Sequence, residues 1–479
     1  MTHATVPDTA RPATRTGRDV ALDLVIRGGR VVTAGTEQIA DVGVLDGQVV
    51  QIGRGVEAGA EEIDATGKLV IPGGIDMHVH LTPVELPGSG LPWVDDFESG
   101  SRAAAAGGVT TVGNISFPRV GEGLWSLVER SAADAARQSV IDFCIHPVLL
   151  EPTPENLAQI PELAAAGHSS IKIFMILGDF DARAVDYMKA MKQAADQRMI
   201  TLIHCEDACV IGYLVQDLIA AGKGAPQNYA KSRPVFAESV AVERAVAFCE
   251  ATGAPIYIVH LSSADALAAA TRARGKGLPV YVETRPIYLT FTEERFDGPD
   301  AGLYVGNPPL RAAGDQRALW TGLATGQIQT CCTDHAPWTK EMKLEEGLDI
   351  STVRPGMADL ELLMPLLWSE GVRGGRISMQ RFVEITSTNA ARLFGLYPRK
   401  GTIAVGGDAD LVIWDPELTR TVRGEDMFSQ AKFSLLEGRE MVGGPTHTIS
   451  RGELVFAGGD VVARPGRGRL ALRGPAGVI

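Results

Sequence analysis

The middle of the chain alternates between two hydrophobic patterns. From about residue 75 to 395, short runs rich in Val and Ile alternate with Ala-rich stretches such as "DDFESGSRAAAAG" and "SVAVERAVAFCEATG". The short runs are typical of buried strands and the Ala-rich stretches favour helices, so the pattern predicts repeated βα units. Eight strand candidates occur: "GGIDMHVH", "VTTVGNIS", "IDFCIHPVL", "SSIKIFM", "MITLIH", "APIYIVH", "LPVYVET" and "IQTCCTD". Eight such units close a (β/α)8 TIM barrel, which is the fold we predict.

The two flanks of this region have a different pattern. "LDLVIRGGRVVT" and "IADVGVLDGQVVQIG" precede it, and "ADLVIWD" follows it, all β-branched runs separated by Gly-rich turns. Such runs predict antiparallel strands. We therefore predict a small β-sandwich domain from residues 20–70 and 400–465, with the barrel at 71–399 inserted between its halves. Residues 1–19 are predicted to be a flexible N-terminal tail, and residues 466–479 a C-terminal tail.

Composition narrows the functional classes. The 479 residues are 45% hydrophobic, which is enough for a large core, and the net charge of −13 is not offset by any basic block. Nucleic acid is therefore not expected as a partner. A membrane is not expected either, because no stretch approaches the roughly 20 apolar residues that a spanning helix needs. The six cysteines do not resemble a disulfide framework, which favours a reducing cytoplasm.

Polar residues recur at the carboxyl ends of the predicted strands. In barrels of this kind, those ends and the loops after them build the active site, while inward positions lower in the strands hold Val, Ile and Leu. The pattern therefore predicts a functional site at one mouth of the barrel. The residues concerned are His78, His80, His146, Lys172, His204, His260, Glu283 and Asp334.

The histidines have a structural and a functional interpretation. A single histidine at a strand end is more often a hydrogen-bonded structural residue than a metal ligand. His78 and His80 are two residues apart, so their rings point to the same side of the strand, and both interpretations stay open for the pair alone. Together with His204 and His260 they place four imidazoles on one face, a ligand set suited to zinc or a similar divalent ion.

Asp334 and Lys172 also have two interpretations each. Asp334, in "CCTDHAP", is either a carboxylate ligand or an N-cap, and the nearby histidines favour the ligand. Lys172, in "SSIKIFM", lies among apolar residues, where an ammonium group must find a partner or lose its proton. An ion pair with an acidic residue and a chemical modification of the amine both remain open from the residues alone.

At this point the chain resembles the cyclic amidohydrolases of the hydantoinase and dihydropyrimidinase group, within the amidohydrolase superfamily, with some allantoinase-like features. The resemblance covers nearly the whole chain after the first residues and rests on "PGGIDMHVHL", "VDDFESGSRAAAAGGVTT", "SIKIFM", "ETRP", "PPLR", "TDHAPW" and "NAARLFGLYPRKGTIAVGGDADLVIWDP". It implies two divalent metal ions, expected to be Zn²⁺, and a homo-oligomer, either a tetramer or a dimer. The implied ligands are His78, His80 and Asp334 for one ion, His204 and His260 for the other, and Lys172, carboxylated on its amine, as the bridge.

The resemblance also implies the reaction. A water held between the metals, with its pKa lowered to about 7, becomes a hydroxide that attacks the carbonyl of a cyclic amide or imide, which is hydantoin-like or dihydropyrimidine-like. Asp334 is expected to act as proton shuttle, taking the proton and delivering it to the leaving ring nitrogen. His146 corresponds to no ligand position in the group, and Glu283 is expected to support the site rather than bind metal.

Three departures from the group, and one difference from dihydroorotases, leave the substrate open. The usual tyrosine five residues after the bridging lysine is Leu177, which cannot donate a hydrogen bond, and losing one oxyanion donor costs about 100-fold to 1000-fold in rate. The serine before "PP", in a loop expected to bind substrate, is Asn307, as in allantoinases and dihydroorotases. "STVRPGMADLELLMP" lacks the Asn-Gly of hydantoinases, and Thr82 stands where a dihydroorotase has arginine.

The sequence therefore leaves three candidate functions open. The first is ring opening of a hydantoin-like or dihydropyrimidine-like substrate. The second is an allantoinase, or another amide, urea or carbamate hydrolase of the same superfamily. The third is a non-catalytic scaffold of the dihydropyrimidinase-related kind, which keeps the fold and loses metal ligands. All six ligand positions are filled in this chain, and this favours an enzyme.

Overall fold

The computed structural model describes residues 21–81, 91–177 and 179–479. The predicted N-terminal tail and Thr82 lie outside these residues. The strands are β1 (Leu22–Val32), β2 (Glu37–Leu45), β3 (Gln48–Gly53), β4 (Gly59–Asp64), β5 (Leu69–Pro72), β6 (Gly74–Val79), β7 (Val109–Ser116), β8 (Asp142–Pro147), β9 (Ser170–Phe174), β10 (Ile200–His204), β11 (Ile256–Ile258), β12 (Val280–Thr284), β13 (Thr330–Cys331), β14 (Leu411–Thr421), β15 (Glu440–Ser450), β16 (Glu453–Ala457) and β17 (Asp460–Val461).

Helices follow most of the central strands. They are α1 (Phe97–Ala106), α2 (Leu124–Gln138), α3 (Pro154–Ala165), α4 (Ala184–Asp196), α5 (Ala208–Ala220), α6 (Tyr229–Ser232), α7 (Val235–Thr252), α8 (Ala264–Gly275), α9 (Pro286–Thr290), α10 (Ala313–Thr325), α11 (Lys340–Lys343), α12 (Leu363–Leu366), α13 (Met379–Val383) and α14 (Asn389–Leu393). Helix α1 begins with a capping box, in which Asp96 accepts a hydrogen bond from the backbone of Ser99. No helix in the described ranges is both long enough and apolar enough to cross a membrane.

Strands β6 to β13 form a closed parallel barrel. They pair in the orders β6-β7-β8 and β9-β10-β11-β12-β13. Parallel bridges from Val148 to Lys172 and from Val79 to His335 join these two groups at both seams. Almost every residue of these strands is buried, because side chains fill the inside and helices cover the outside. The predicted (β/α)8 barrel is confirmed.

The first and last segments pair into one sheet, as predicted. This sheet has nine strands in the order β17-β16-β15-β14-β5-β1-β2-β3, with β4 beside β1. Strand β5 joins the two halves, since it pairs with β1 on one side and antiparallel with β14 on the other. Residues such as Leu24, Val42 and Ile413 form the core of this domain. Strand β5 ends at Pro72, so the sheet extends past the predicted boundary at residue 70.

The C-terminal segment packs against the barrel instead of leaving it. Leu470 forms a parallel bridge with Phe143, and the backbone N–H of Arg473 donates to the carbonyl of Gly167 at 2.9 Å. The buried guanidinium of Arg473 donates to the carbonyl of Ile145 at 3.0 Å. Residues 466–479, predicted as a tail from their Gly, Ala and Arg content, therefore cover the amino-terminal end of the barrel strands.

Candidate metal centre

Three predicted ligands converge at the carboxyl end of the barrel. His78 lies in β6, His80 follows it, and Asp334 follows β13 on the adjacent strand. Oδ1 of Asp334 lies 2.9 Å from Nε2 of His80 and 3.2 Å from Nε2 of His78. The donor atoms of all three side chains lie within 4.8 Å of one another, and all three residues are buried. A single divalent ion fits such a set of two imidazoles and one carboxylate.

The other two histidines lie beside this group. His204 ends β10 and His260 follows β11, its neighbour in the barrel. Their ring centroids are 4.5 Å apart, and the ring of His260 is 5.4 Å from that of His78. The structure thus brings the four predicted histidines together on one rim.

Two buried glutamates determine which ring nitrogens remain for a metal. Oε1 of Glu283 lies 2.8 Å from Nδ1 of His78, and Oε2 of Glu206 lies 2.7 Å from Nε2 of His204. A carboxylate in this position accepts the ring N–H, so the opposite nitrogen keeps its lone pair and is oriented for a ligand. Nε2 of His78 and Nδ1 of His204 are therefore the atoms that can bind. Glu283 has the geometry of the expected supporting residue, whereas sequence reasoning missed Glu206.

Lys172 is enclosed without a polar partner. It lies in β9, its side chain is fully buried, and its Nζ has no hydrogen bond within the described part of the chain. Burial lowers the pKa of Lys172 to about 8, against the raising effect of the Glu283 and Asp334 charges. An unpaired buried ammonium is costly, and an amine that is neutral or chemically modified avoids this cost.

Strained backbone orients two of the site residues. His260 has a φ of 40° and Asp334 a φ of 52°, both in the left-handed region that side chains other than glycine rarely adopt. Such strain persists where the surrounding structure enforces it, often at functional sites. Burial raises the pKa of Asp334, but the neighbouring His78 and the guanidinium of Arg285 more than offset this and keep the pKa well below its usual range. The carboxylate is therefore anionic.

The residues at the mouth fit a divalent metal site. Imidazole nitrogens and a carboxylate oxygen are donors that zinc prefers. Three buried nitrogens of the site, Nδ1 of His80, Nδ1 of His260 and Nζ of Lys172, have no hydrogen-bond partner among the described residues. The four histidines lie beside Asp334, and Glu283 and Glu206 orient two of them.

A second acidic cluster does not fit a metal. Asp142, Asp408 and Asp410 also bring carboxylate oxygens within 4.8 Å of one another. Nζ of Lys400 lies 2.7, 3.0 and 2.6 Å from these three carboxylates and already supplies the cation. This cluster is an ion-pair network at the junction of barrel and β-domain.

Sequence reasoning missed further polar residues at the mouth. Asp76 accepts hydrogen bonds from the backbone of His78 at 3.0 Å and from Oγ1 of Thr333 at 2.6 Å. The period-two alternation in "IDMHVH" places Asp76 on the same side as His78 and would have found it. Burial raises the pKa of Asp76 to about 7. His146, by contrast, bonds to Ser170 at 2.6 Å and lies near Arg473 toward the bottom of the barrel.

Aromatic rings and a tyrosine surround the ligand residues. The ring of His80 is 4.6 Å from that of Trp93 and 6.1 Å from that of Phe117, and the ring of His204 is 5.3 Å from that of Phe174. In the loop after β12, Asn307 accepts a hydrogen bond at Oδ1 from the hydroxyl of Tyr229. Leu177, beyond β9, keeps 36% of its surface exposed.

The profile of the amidohydrolase family matches residues 69–455. The chain is 37% identical to the D-hydantoinase of Geobacillus stearothermophilus over 461 residues, which are 95% of this chain and 97% of that protein. The solved D-hydantoinase of Bacillus sp. AR9 superposes with a TM-score of 0.91 at 38% identity, covering 95% of this chain and 99% of the other. The dihydropyrimidinase of Brevibacillus agri gives a TM-score of 0.90 at 36% identity, covering 94% and 98%. The chain belongs to the amidohydrolase family.

Proposed function

We propose that the chain is a metal-dependent hydrolase that opens the ring of a cyclic amide or imide, hydantoin-like or dihydropyrimidine-like. The observation that carries this proposal is the convergence of His78, His80 and Asp334 around one point, with His204 and His260 beside it. The D-hydantoinases and the dihydropyrimidinase to which the chain is similar support the same reaction class.

We assign the ligands as the sequence predicts. His78, His80 and Asp334 would hold one ion and His204 and His260 the other, and Lys172, carboxylated on its amine, would be a ligand of both. The neutral amine of Lys172 would attack carbon dioxide, form an N–C bond and release one proton, so that a buried neutral group becomes an anion. The Nζ has no hydrogen-bond partner among the residues that the structure describes, and burial lowers its pKa to about 8; both observations support this assignment. Two zinc ions bound here would polarise a carbonyl and lower the pKa of a water toward about 7.

Asp334 is the residue that we assign to proton transfer. Its Oδ1 faces the two histidines and its Oδ2 faces Arg285, at 3.2 Å from Nη1. As water adds to the ring carbonyl, the carboxylate takes the proton of the water and returns it to the ring nitrogen that leaves. A carboxylate in this role contributes about 100-fold to 10,000-fold in rate. Glu283 and Glu206 keep their histidines in one orientation throughout.

The loop at Asn307 is the substrate-binding part of the proposal. Because Oδ1 of Asn307 already accepts from Tyr229, its amide NH₂ is the group left to donate to a substrate carbonyl. This donor compensates in part for Leu177, which offers none. The rings of Trp93, Phe117 and Phe174 beside the site favour a substrate with an apolar ring substituent.

A substrate panel tests the reaction class. Metal-loaded protein is offered hydantoin, 5-substituted hydantoins, dihydrouracil, allantoin, dihydroorotate, cyclic imides and acyclic ureas, and ring opening is followed by ultraviolet absorbance. We expect the fastest turnover with 5-substituted hydantoins or dihydrouracil. Turnover of allantoin alone, or of acyclic amides, ureas or carbamates alone, would replace the proposal by the second function.

Metal content tests the scaffold alternative. Protein purified from cells grown with added zinc, cobalt or manganese is analysed for metal before and after dialysis against a chelator. We expect two equivalents per chain and loss of turnover on chelation, restored by zinc. A chain that retains no metal under any supplement would be the non-catalytic scaffold.

The proposal also covers the oligomeric state of the protein and its cellular compartment. We infer a homo-oligomer, dimer or tetramer, because Tyr213 of α5 and Phe236 and Val240 of α7 expose more than half of their surface. Light scattering of the wild type and of Phe236→Asp tests this. We also infer a reducing cytoplasm, in keeping with the six cysteines, all of which are free thiols.

A further inference from the structure

A fully buried arginine contacts the carboxylate that we assign to proton transfer. Arg285 follows β12, in the "ETRP" motif, and none of its surface is exposed. Its Nη1 lies 3.2 Å from Oδ2 of Asp334, the oxygen that points away from the histidines. Buried arginines are rare unless paired, so this contact calls for a physical role.

The guanidinium of Arg285 contacts two successive residues, Thr333 and Asp334. Nε of Arg285 donates to the backbone carbonyl of Thr333 at 2.8 Å, while Nη1 faces the side chain of Asp334. The backbone of Asp334 is the strained one, with a φ of 52°. Nη1 and Nη2 form no hydrogen bond among the described residues, so Asp334 is held by the ion pair and Thr333 by the hydrogen bond from Nε. Because the guanidinium is planar and rigid, these two contacts have a fixed relative direction.

The same nitrogen of the guanidinium also lies close to the proposed substrate loop. Gly306 immediately precedes Asn307, and a Cβ atom at Gly306 would lie 3.3 Å from Nη1 of Arg285 and 3.1 Å from the end of Met357. The loop backbone therefore approaches the guanidinium closely. The ring of Tyr288, 5.5 Å from the guanidinium carbon, packs on the arginine as well. One rigid group thus contacts both the proton-transfer residue and the loop that precedes Asn307.

We propose that Arg285 is a positioning residue for ring opening: it sets the direction of Oδ2 of Asp334 relative to the loop at Gly306 and Asn307. This inference rests on the proposed function. The contact of Arg285 is with Oδ2 of Asp334, and we infer that it acts through that residue. Its loss should therefore slow the chemical step more than it weakens substrate binding.

Kinetics of two variants test this role. In Arg285→Gln we expect kcat to fall about 100-fold, since a small displacement of a catalytic group costs that much, with KM changed by less than about threefold. Arg285→Lys keeps the charge without the fork and should recover part of the loss. Arg473→Gln is the matched control: it also removes a buried arginine, at the opposite end of the barrel, and should lower Tm with kcat kept.

Asp359 provides a second control. It is buried, and neither of its carboxylate oxygens has a hydrogen-bond partner among the described residues. Burial raises its pKa to about 7, although the charge of Arg285 lowers it. If Arg285 served only to neutralise Asp359, then Asp359→Asn would restore kcat in the Arg285→Gln background. We expect no such recovery, and full recovery would overturn the proposal.

A comparison of crystal structures tests the proposed role of Arg285 without any measurement of activity. Crystal structures of zinc-loaded wild type and Arg285→Gln should differ in the side-chain direction of Asp334 and in the backbone at Gly306 and Asn307. Unchanged positions of both would overturn the proposal. If the wild type opens no ring in the substrate panel, the proposed function fails, and this crystallographic comparison still decides whether Arg285 positions Asp334.

Discussion

Two buried lysines at opposite ends of the barrel have opposite surroundings. Lys172, at the mouth, has no hydrogen-bond partner for its Nζ within the described ranges, and burial lowers its pKa to about 8. Lys400, at the junction with the β-domain, has carboxylates of Asp142, Asp408 and Asp410 within 3.0 Å. Burial lowers the pKa of Lys400 too, but these three charges raise it well above its ordinary value.

The comparison separates a structural lysine from a chemical one. A buried ammonium surrounded by carboxylates stays charged and holds two parts of the fold together. A buried amine without acceptors is costly as a cation and is retained only where its chemistry is used. A buried lysine therefore indicates a stabilising ion-pair network at one end of the barrel and a role in metal binding at the other. Substitutions of Lys400 and Lys172 can test these two roles.

Lys172→Ala should have the largest effect. Loss of the bridging carbamate should remove metal and reduce turnover to below roughly one-thousandth of the wild type, with Tm nearly unchanged apart from the metal contribution. Metal analysis, kinetics and a carbamate signal from ¹³C-labelled carbon dioxide check this. The matched variant Lys400→Met should keep its metal per folded chain, and a Lys172→Ala protein with full metal and activity would contradict the bridge.

Asp334→Asn should separate metal retention from turnover. The amide still offers an oxygen to the metal site but cannot take up a proton, so kcat should fall about 100-fold to 10,000-fold. Metal content and kcat are measured on the same samples. Turnover near that of the wild type, with metal retained, would remove Asp334 from proton transfer.

Lys400→Met should reduce stability and leave the site intact. Removing one partner of a buried ion-pair network costs about 3–5 kcal/mol of unfolding free energy. Lys68→Met is the control, because Lys68 pairs with Asp415 at 3.2 Å with about a third of each side chain exposed, and such pairs contribute about 0–1 kcal/mol. Denaturant unfolding measures both. Equal small losses would show that the buried network does not stabilise the fold.

His168→Gln should have the smallest effect, confined to acid pH. Burial and the charge of Arg473 lower the pKa of His168 from 6.5 to about 4. Since the unfolded chain binds this proton near pH 6.5 and the folded chain only near pH 4, stability falls as pH drops between these values, by up to about 3 kcal/mol. The glutamine variant should lose less stability over the same window, as measured by denaturant unfolding at each pH, and an identical slope would contradict the assignment.

Much of the site could be predicted because it depends on local periodicity. Alternation along a strand puts His78 and His80 on one side, and the rule that barrel sites lie at carboxyl ends adds His204, His260 and Asp334. Glu206 and Arg285 could not be found in this way. Glu206 acts through its contact with His204, and Arg285 through contacts with residues that come about 50 positions later in the chain.

The sequence by itself determined the eight strands, the helices between them and the residue types at each strand end, because hydrophobic periodicity depends on neighbours along the chain. Only the tertiary structure decided which nitrogen of His78 and His204 is free for a metal, and that Lys400 and not a metal ion lies among three aspartates. It also decided that residues 466–479 pack on the barrel. These outcomes depend on distances between residues far apart in sequence, and burial then determines whether each charge is paired or chemically changed.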